Sequence, residues 1–147
     1  MHGEDNTVQF DNLDPDLRIG ELTGASKKEF VRDGNTKATI DVPITLTDSN
    51  FEQALRKYPL FVVDFFAPGV GPCRTIAPTI EQMASEMAGM AVFGMLNVEE
   101  NPRIANLFEV QSIPTVIMFR NGELVDGFRG VAPKTQIKSM MTRIMSL

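Results

Sequence analysis

From about residue 38 onward the apolar residues fall into two alternating periods. Ile40, Val42, Ile44 and Leu46 alternate with polar neighbours, which predicts a strand over 38–46, and Pro43 assigns it to a sheet edge. Phe51, Ala54, Leu55 and Tyr58 then recur at helical spacing, with N-cap residue types at Thr47-Asp48-Ser49-Asn50 and a stop at Pro59. The run 61–66, Phe-Val-Val-Asp-Phe-Phe, is apolar on both faces apart from one aspartate, as a central parallel strand should be. Gly69, Gly71 and Pro72 turn the chain. From Cys73 the period becomes helical again through Ile76, Ile80, Met83 and Met87. That helix should run to about 88 and stop at Gly89, with Pro78 removing one hydrogen bond inside it.

The second half repeats the alternation. A strand is predicted over 91–98, and Asn101-Pro102 opens a short helix carrying Ile104, Leu107 and Phe108. Strands over 115–119 and 124–128 flank Asn121-Gly122, a strong two-residue hairpin signal. Pro133 starts a last helix with Ile137, Met141 and Ile144 on one face. The order is β-α-β-α-β-α-β-β-α. Parallel crossovers followed by a hairpin predict an α/β fold: a mixed central sheet with helices on both faces, in three layers α/β/α.

Residues 1–37 read differently. They are acidic and poor in apolar residues, with Ser26-Lys27-Lys28-Glu29 in the form of a capping box. Two parts are expected: an acidic, flexible N-terminal extension over 1–37 and a domain over 38–147. A formal net charge of −5, without a basic stripe, argues against a nucleic-acid surface. There is no apolar run of membrane-spanning length, and the acidic start is unlike a signal peptide. One cysteine excludes an intramolecular disulfide framework and fits a reducing compartment, so a cytoplasmic monomer is expected. One histidine, His2, leaves no cluster for a metal, and no cofactor is expected. The nine methionines fall mostly at helix-face and strand positions, where they fill a core.

Asp64-Phe65-Phe66-Ala67-Pro68, followed by Gly69-Val70-Gly71-Pro72-Cys73, resembles the thioredoxin family. The family's strand ends Asp-Phe-Trp-Ala-Pro and its redox loop reads Trp-Cys-Gly-Pro-Cys. The resemblance extends over about 42–147 and includes Ser112-Ile113-Pro114-Thr115, Phe119-Arg120-Asn121-Gly122-Glu123, Asn97-Val98 and the glycines at 127 and 130. It implies a thioredoxin-like fold and a thiol–disulfide oxidoreductase ancestry. It also implies a cis bond at Ile113-Pro114, facing the redox loop. By position, Val70 replaces the attacking cysteine, Gly69 replaces the tryptophan wall beside it, and Cys73 is the shielded resolving cysteine. Asp64 would be the buried proton acceptor beneath Cys73, and Met95 stands where the family often places a lysine.

The chemistry that follows is incomplete. A dithiol cycle needs one thiolate to attack and a neighbour to displace the product, at an effective concentration on the order of 10⁵ M or more. Cys73 alone can form one mixed disulfide. The helix N-terminus lowers its pKa and burial raises it, and burial is expected to dominate. The resemblance further implies a shallow apolar groove made by Gly69, Val70, Gly71 and Pro72 on one side. Ile113, Pro114, Gly130 and Val131 make the other side, and an extended protein segment pairs with the backbone there. Three functions remain open: a binding, chaperone-like or regulatory module working through that groove, monothiol exchange in redox homeostasis through Cys73, and a structural docking subunit.

Overall fold

The computed structural model of the protein describes residues 39–147. The extension predicted over 1–37, its capping box included, lies outside the described residues. Nine elements follow in the order β1 (Ile44–Leu46), α1 (Phe51–Lys57), β2 (Leu60–Phe66), α2 (Gly71–Glu86), β3 (Val92–Asn97), α3 (Pro102–Leu107), β4 (Thr115–Arg120), β5 (Glu123–Arg129) and α4 (Lys134–Met145). This is the predicted order. The sheet runs β1-β3-β2-β4-β5. β1, β3 and β2 are parallel, β4 is antiparallel to β2, and β5 is antiparallel to β4.

β2 sorts the core. Its side chains alternate across the sheet, and both faces are covered. Leu60 and Val62 join Ile76, Ile80 and Met83 of α2 and Ile137, Met141 and Ile144 of α4. Phe61, Val63 and Phe65 join Phe51 and Leu55 of α1 and Ile104 of α3. The helices therefore form one layer on each side of the sheet. On the α1/α3 side the rings of Phe51, Phe108 and Phe119 meet edge to face, with centroids 5.4–5.9 Å apart. Met83, Met87, Met118, Met140 and Met141 are buried, while Met90 and Met145 are exposed.

Two local readings need correction. The first strand is three residues long rather than nine, and Val42 is 62% exposed. Pro43 has no N–H to give a ladder, and pairing with β3 starts just after it at Ile44. The polar run 47–50 does not cap α1 through the Asn50 side chain. Asp48 instead reaches across to α3, where its carboxylate accepts the backbone N–H groups of Arg103 (3.0 Å) and Ile104 (2.9 Å). Asn101 answers by accepting the Asp48 N–H at 2.9 Å. One carboxylate thus satisfies the orphan donors of a helix more than fifty residues away in the chain.

The remaining punctuation acts locally. Asn121 and Gly122 have φ of 53° and 82°, the left-handed pair that a tight hairpin requires. α2 is continuous through Pro78 and ends at Glu86, two residues before the predicted stop, while Gly89 has φ of 87°. At the far end, Arg120 donates from one guanidinium nitrogen to the carbonyls of Ile144 and Leu147, closing the C-terminal end of α4. Asp48→Ala should lower the unfolding free energy by about 1–2 kcal/mol, read from the urea midpoint, because α3 loses its carboxylate cap.

Candidate functional site

Strand direction brings the candidate residues to one end of the sheet. β2 ends at Phe66, and its antiparallel neighbour β4 begins at Thr115, paired with Phe65. Thr115 in turn pairs with Arg129, the last residue of β5. The loop after β2, the turn before β4 and the segment after β5 therefore emerge together. The Gly130 N–H donates to the Pro114 carbonyl at 2.8 Å, which ties the last two. The Ile113–Pro114 bond is cis. Among the described residues the Ile113 N–H and C=O have no hydrogen-bond partner.

The loop itself is shaped by glycine. Gly69 has φ of 83° and Gly130 has φ of 79°, both left-handed. Val70 is the extended N-cap of α2, and its carbonyl accepts the N–H groups of Cys73 and Arg74. Gly71 and Pro72 form the exposed first residues of the helix, while Val70 is half-buried. A Cβ built on Gly69, Gly71 or Gly130 would meet nothing within 4 Å, so all three border open space. Ile113 is half-buried, Pro114 is buried, and Val131 is 38% exposed.

Cys73 lies on the inner face of the first turn of α2 and is 4% exposed. Burial pushes its thiol pKa up, a hydrogen bond to the Ala67 backbone pulls the other way, and the charge of Asp64 raises it further. Burial and the raised pKa both disfavour an accessible thiolate at neutral pH.

Asp64 sits on the same face of β2 as Val62, toward α2. It is fully buried, and neither carboxylate oxygen has a hydrogen-bond partner among the described residues. The reason lies in register. Met95 on β3 and Val116 on β4 stand directly opposite it on the two flanking strands. An apolar residue on each side supplies no counter-charge, so desolvation raises its pKa to about 7. Among the described residues no group of three or more metal-ligating side chains is gathered, and no helix is long and apolar enough to cross a membrane.

The thioredoxin family model matches residues 42–143 of this chain. The chain belongs to the thioredoxin family. The thioredoxin of Alicyclobacillus acidocaldarius subsp. acidocaldarius is 39% identical over 102 residues, covering 69% of this chain and 97% of that one. The thioredoxin of Staphylococcus haemolyticus (strain JCSC1435) is 41% identical over 100 residues, covering 68% and 95%. Among solved structures, a mutant thioredoxin from Halobacterium salinarum NRC-1 superposes with a TM-score of 0.62 at 25% identity. That match covers 71% of this chain and 91% of the other. The thioredoxin-like α/β fold and the thiol–disulfide oxidoreductase family follow from these matches. Within that family loop, this chain carries valine at residue 70, and Cys73 is its only cysteine.

Two features of the site were not read from the sequence. The Ala67 backbone holds the Cys73 sulfur, and main-chain contacts of that kind leave no mark on residue identity. Arg74 extends its guanidinium back toward the Gly69 carbonyl at 3.5 Å. Its place immediately after Cys73, in the first turn of the helix, was the available signal.

The Asp64 proton has a measurable consequence. An unfolded aspartate releases its proton near pH 3.9, whereas the folded one keeps it to about pH 7. Between those values the folded state binds more protons, so stability falls as pH rises through the window. Asp64→Asn removes that dependence. The unfolding free energy of the variant relative to the parent should rise by on the order of 4 kcal/mol between about pH 4 and pH 7.5 and level off above about pH 8. A difference that stays constant across that range, in urea unfolding at several pH values, would contradict a neutral buried carboxyl.

Proposed function

We propose that this thioredoxin-family protein is a binding module for extended protein segments, chaperone-like or regulatory, rather than a dithiol reductase. The observation that carries the reading is the state of Cys73: the chain's only thiol is 4% exposed, with its pKa raised. Attack on a protein disulfide needs an accessible thiolate and a second thiol for release. Val70 supplies neither. The groove does not depend on sulfur. Its shape comes from the 69–72 loop and the Ile113–Pro114 turn, and the N–H and C=O of Ile113, unpartnered among the described residues, offer a strand-like pairing site.

A second reading rests on Asp64. A carboxyl titrating near pH 7 on the Cys73 side of β2 can take up a thiol proton, which supports slow monothiol exchange with a small disulfide. The two readings separate on accessibility. The binding module leaves Cys73 unlabelled by a thiol reagent near neutral pH and binds a labelled, Val-rich extended peptide equally well after Cys73→Ala. Monothiol exchange shows rapid labelling and a peptide-independent turnover that Cys73→Ala abolishes.

With dithiothreitol supplied as the reductant, the parent should not reduce the insulin disulfides faster than dithiothreitol alone. Val70→Cys should raise that rate by about 100-fold or more, because the displaced product is then released intramolecularly. A folded Val70→Cys chain that remains inactive would show that the loop no longer positions a nucleophile. For binding, Val70→Asp should weaken the peptide by about tenfold or more, because it places a charge in an apolar contact.

A further inference from the structure

We propose that the groove selects an extended partner segment whose small apolar centre is flanked on both sides by carboxylates. This rests on the binding-module reading above and names the chemistry of its partner. The argument starts from how the cations of the described residues are used. Arg103 pairs with Glu52, Lys134 and Lys138 share Glu86, and Arg143 faces Asp126. Arg120 is held by the carbonyls at the end of α4, and Lys57 lies over the Tyr58 ring.

Arg74 and Arg129 stand apart from that pattern. Both are exposed. Arg74 reaches only the Gly69 carbonyl, at a marginal 3.5 Å, and the Arg129 side chain has no ion pair or hydrogen bond among the described residues. Their places in the fold are complementary. Arg74 follows Cys73 and leans over the 69–72 loop, one wall of the groove. Arg129 ends β5, pairs with Thr115 next to Pro114, and precedes Gly130, the opposite wall.

The floor between them is uncharged. Val70 and Ile113 are half-buried, and Gly69, Gly71 and Gly130 border open space, so a partner's main chain can approach closely. Of the carboxylates near this end of the sheet, Asp64 is buried on β2, Glu109 lies in the connection into the Pro114 turn, Asp48 follows β1 and is engaged with α3, and Glu99 and Glu100 follow β3. That strand lies on the other side of β2 from β4 and β5. A segment lying along the groove therefore meets a guanidinium at each rim and an apolar contact between. Guanidinium groups favour carboxylates by paired, charge-assisted hydrogen bonds.

The test uses the full chain and three labelled peptides of about ten residues with the same Ala-Val-Ala centre, flanked by Glu, Gln or Lys. Fluorescence anisotropy at low salt should rank Glu above Gln above Lys. The Glu peptide should bind about three- to tenfold tighter than the Gln peptide, the gain expected of two exposed pairs. That gap should shrink toward unity at about 0.5 M salt. Arg74→Glu with Arg129→Glu should reverse the order, with far-UV circular dichroism unchanged to show that the chain is folded. Equal affinities for the three peptides, preference for the Lys peptide, or an order indifferent to the double variant would overturn the inference while leaving the groove itself standing. Failure of every peptide to bind would remove both.

Discussion

β2 is hydrogen-bonded along both edges and covered on both faces, and this constraint governs the molecule. From Leu60 to Phe65 no side chain on it can reach bulk water without opening the core. The strand therefore admits apolar side chains at little cost and polar ones only at a penalty. Asp64 is the single ionisable residue placed there, between Met95 and Val116. The surrounding sheet answers by keeping its proton on to about pH 7. The same burial sends alternate side chains of the strand into two separate clusters and so holds α2 and α4 on one face and α1 and α3 on the other.

The site inherits its form from where that strand ends. Three chain segments meet there because β2, β4 and β5 alternate in direction, and the Gly130–Pro114 hydrogen bond joins two of them. α2 starts at the same place and carries Cys73 inward on its first turn. In a family whose chemistry depends on a sulfur pair, this arrangement presents a hydrocarbon, Val70, at the mouth and keeps the thiol behind it. What remains at the surface is backbone, small apolar side chains and two guanidinium groups. The proposal of a binding module rests on that inventory.

Some of this was legible in the residues. The element order, the hairpin at Asn121-Gly122 and the burial of 61–65 all come from patterns of short range, where period and turn chemistry act within a few residues. The burial of Asp64 was visible as a break in an apolar run. Asp48 was misread for a physical reason. A capping residue is expected to serve the helix that follows it, but this one serves a helix brought alongside by the sheet. The short first strand shows the opposite case, a local residue, Pro43, outweighing a good alternation.

The amino-acid order by itself determined which segments become strands or helices, and which atom is missing from the redox loop. Both are properties of neighbouring residues. Only the tertiary structure decided that Asp64 faces Met95 and Val116 and not a cation, that the Cys73 sulfur is closed off, and that Arg129 comes to pair beside the Pro114 turn. These are relations between groups far apart in the chain. They exist only once hydrophobic burial has forced the sheet to close, because the same burial that fixes register also removes the water that would otherwise have screened the buried groups.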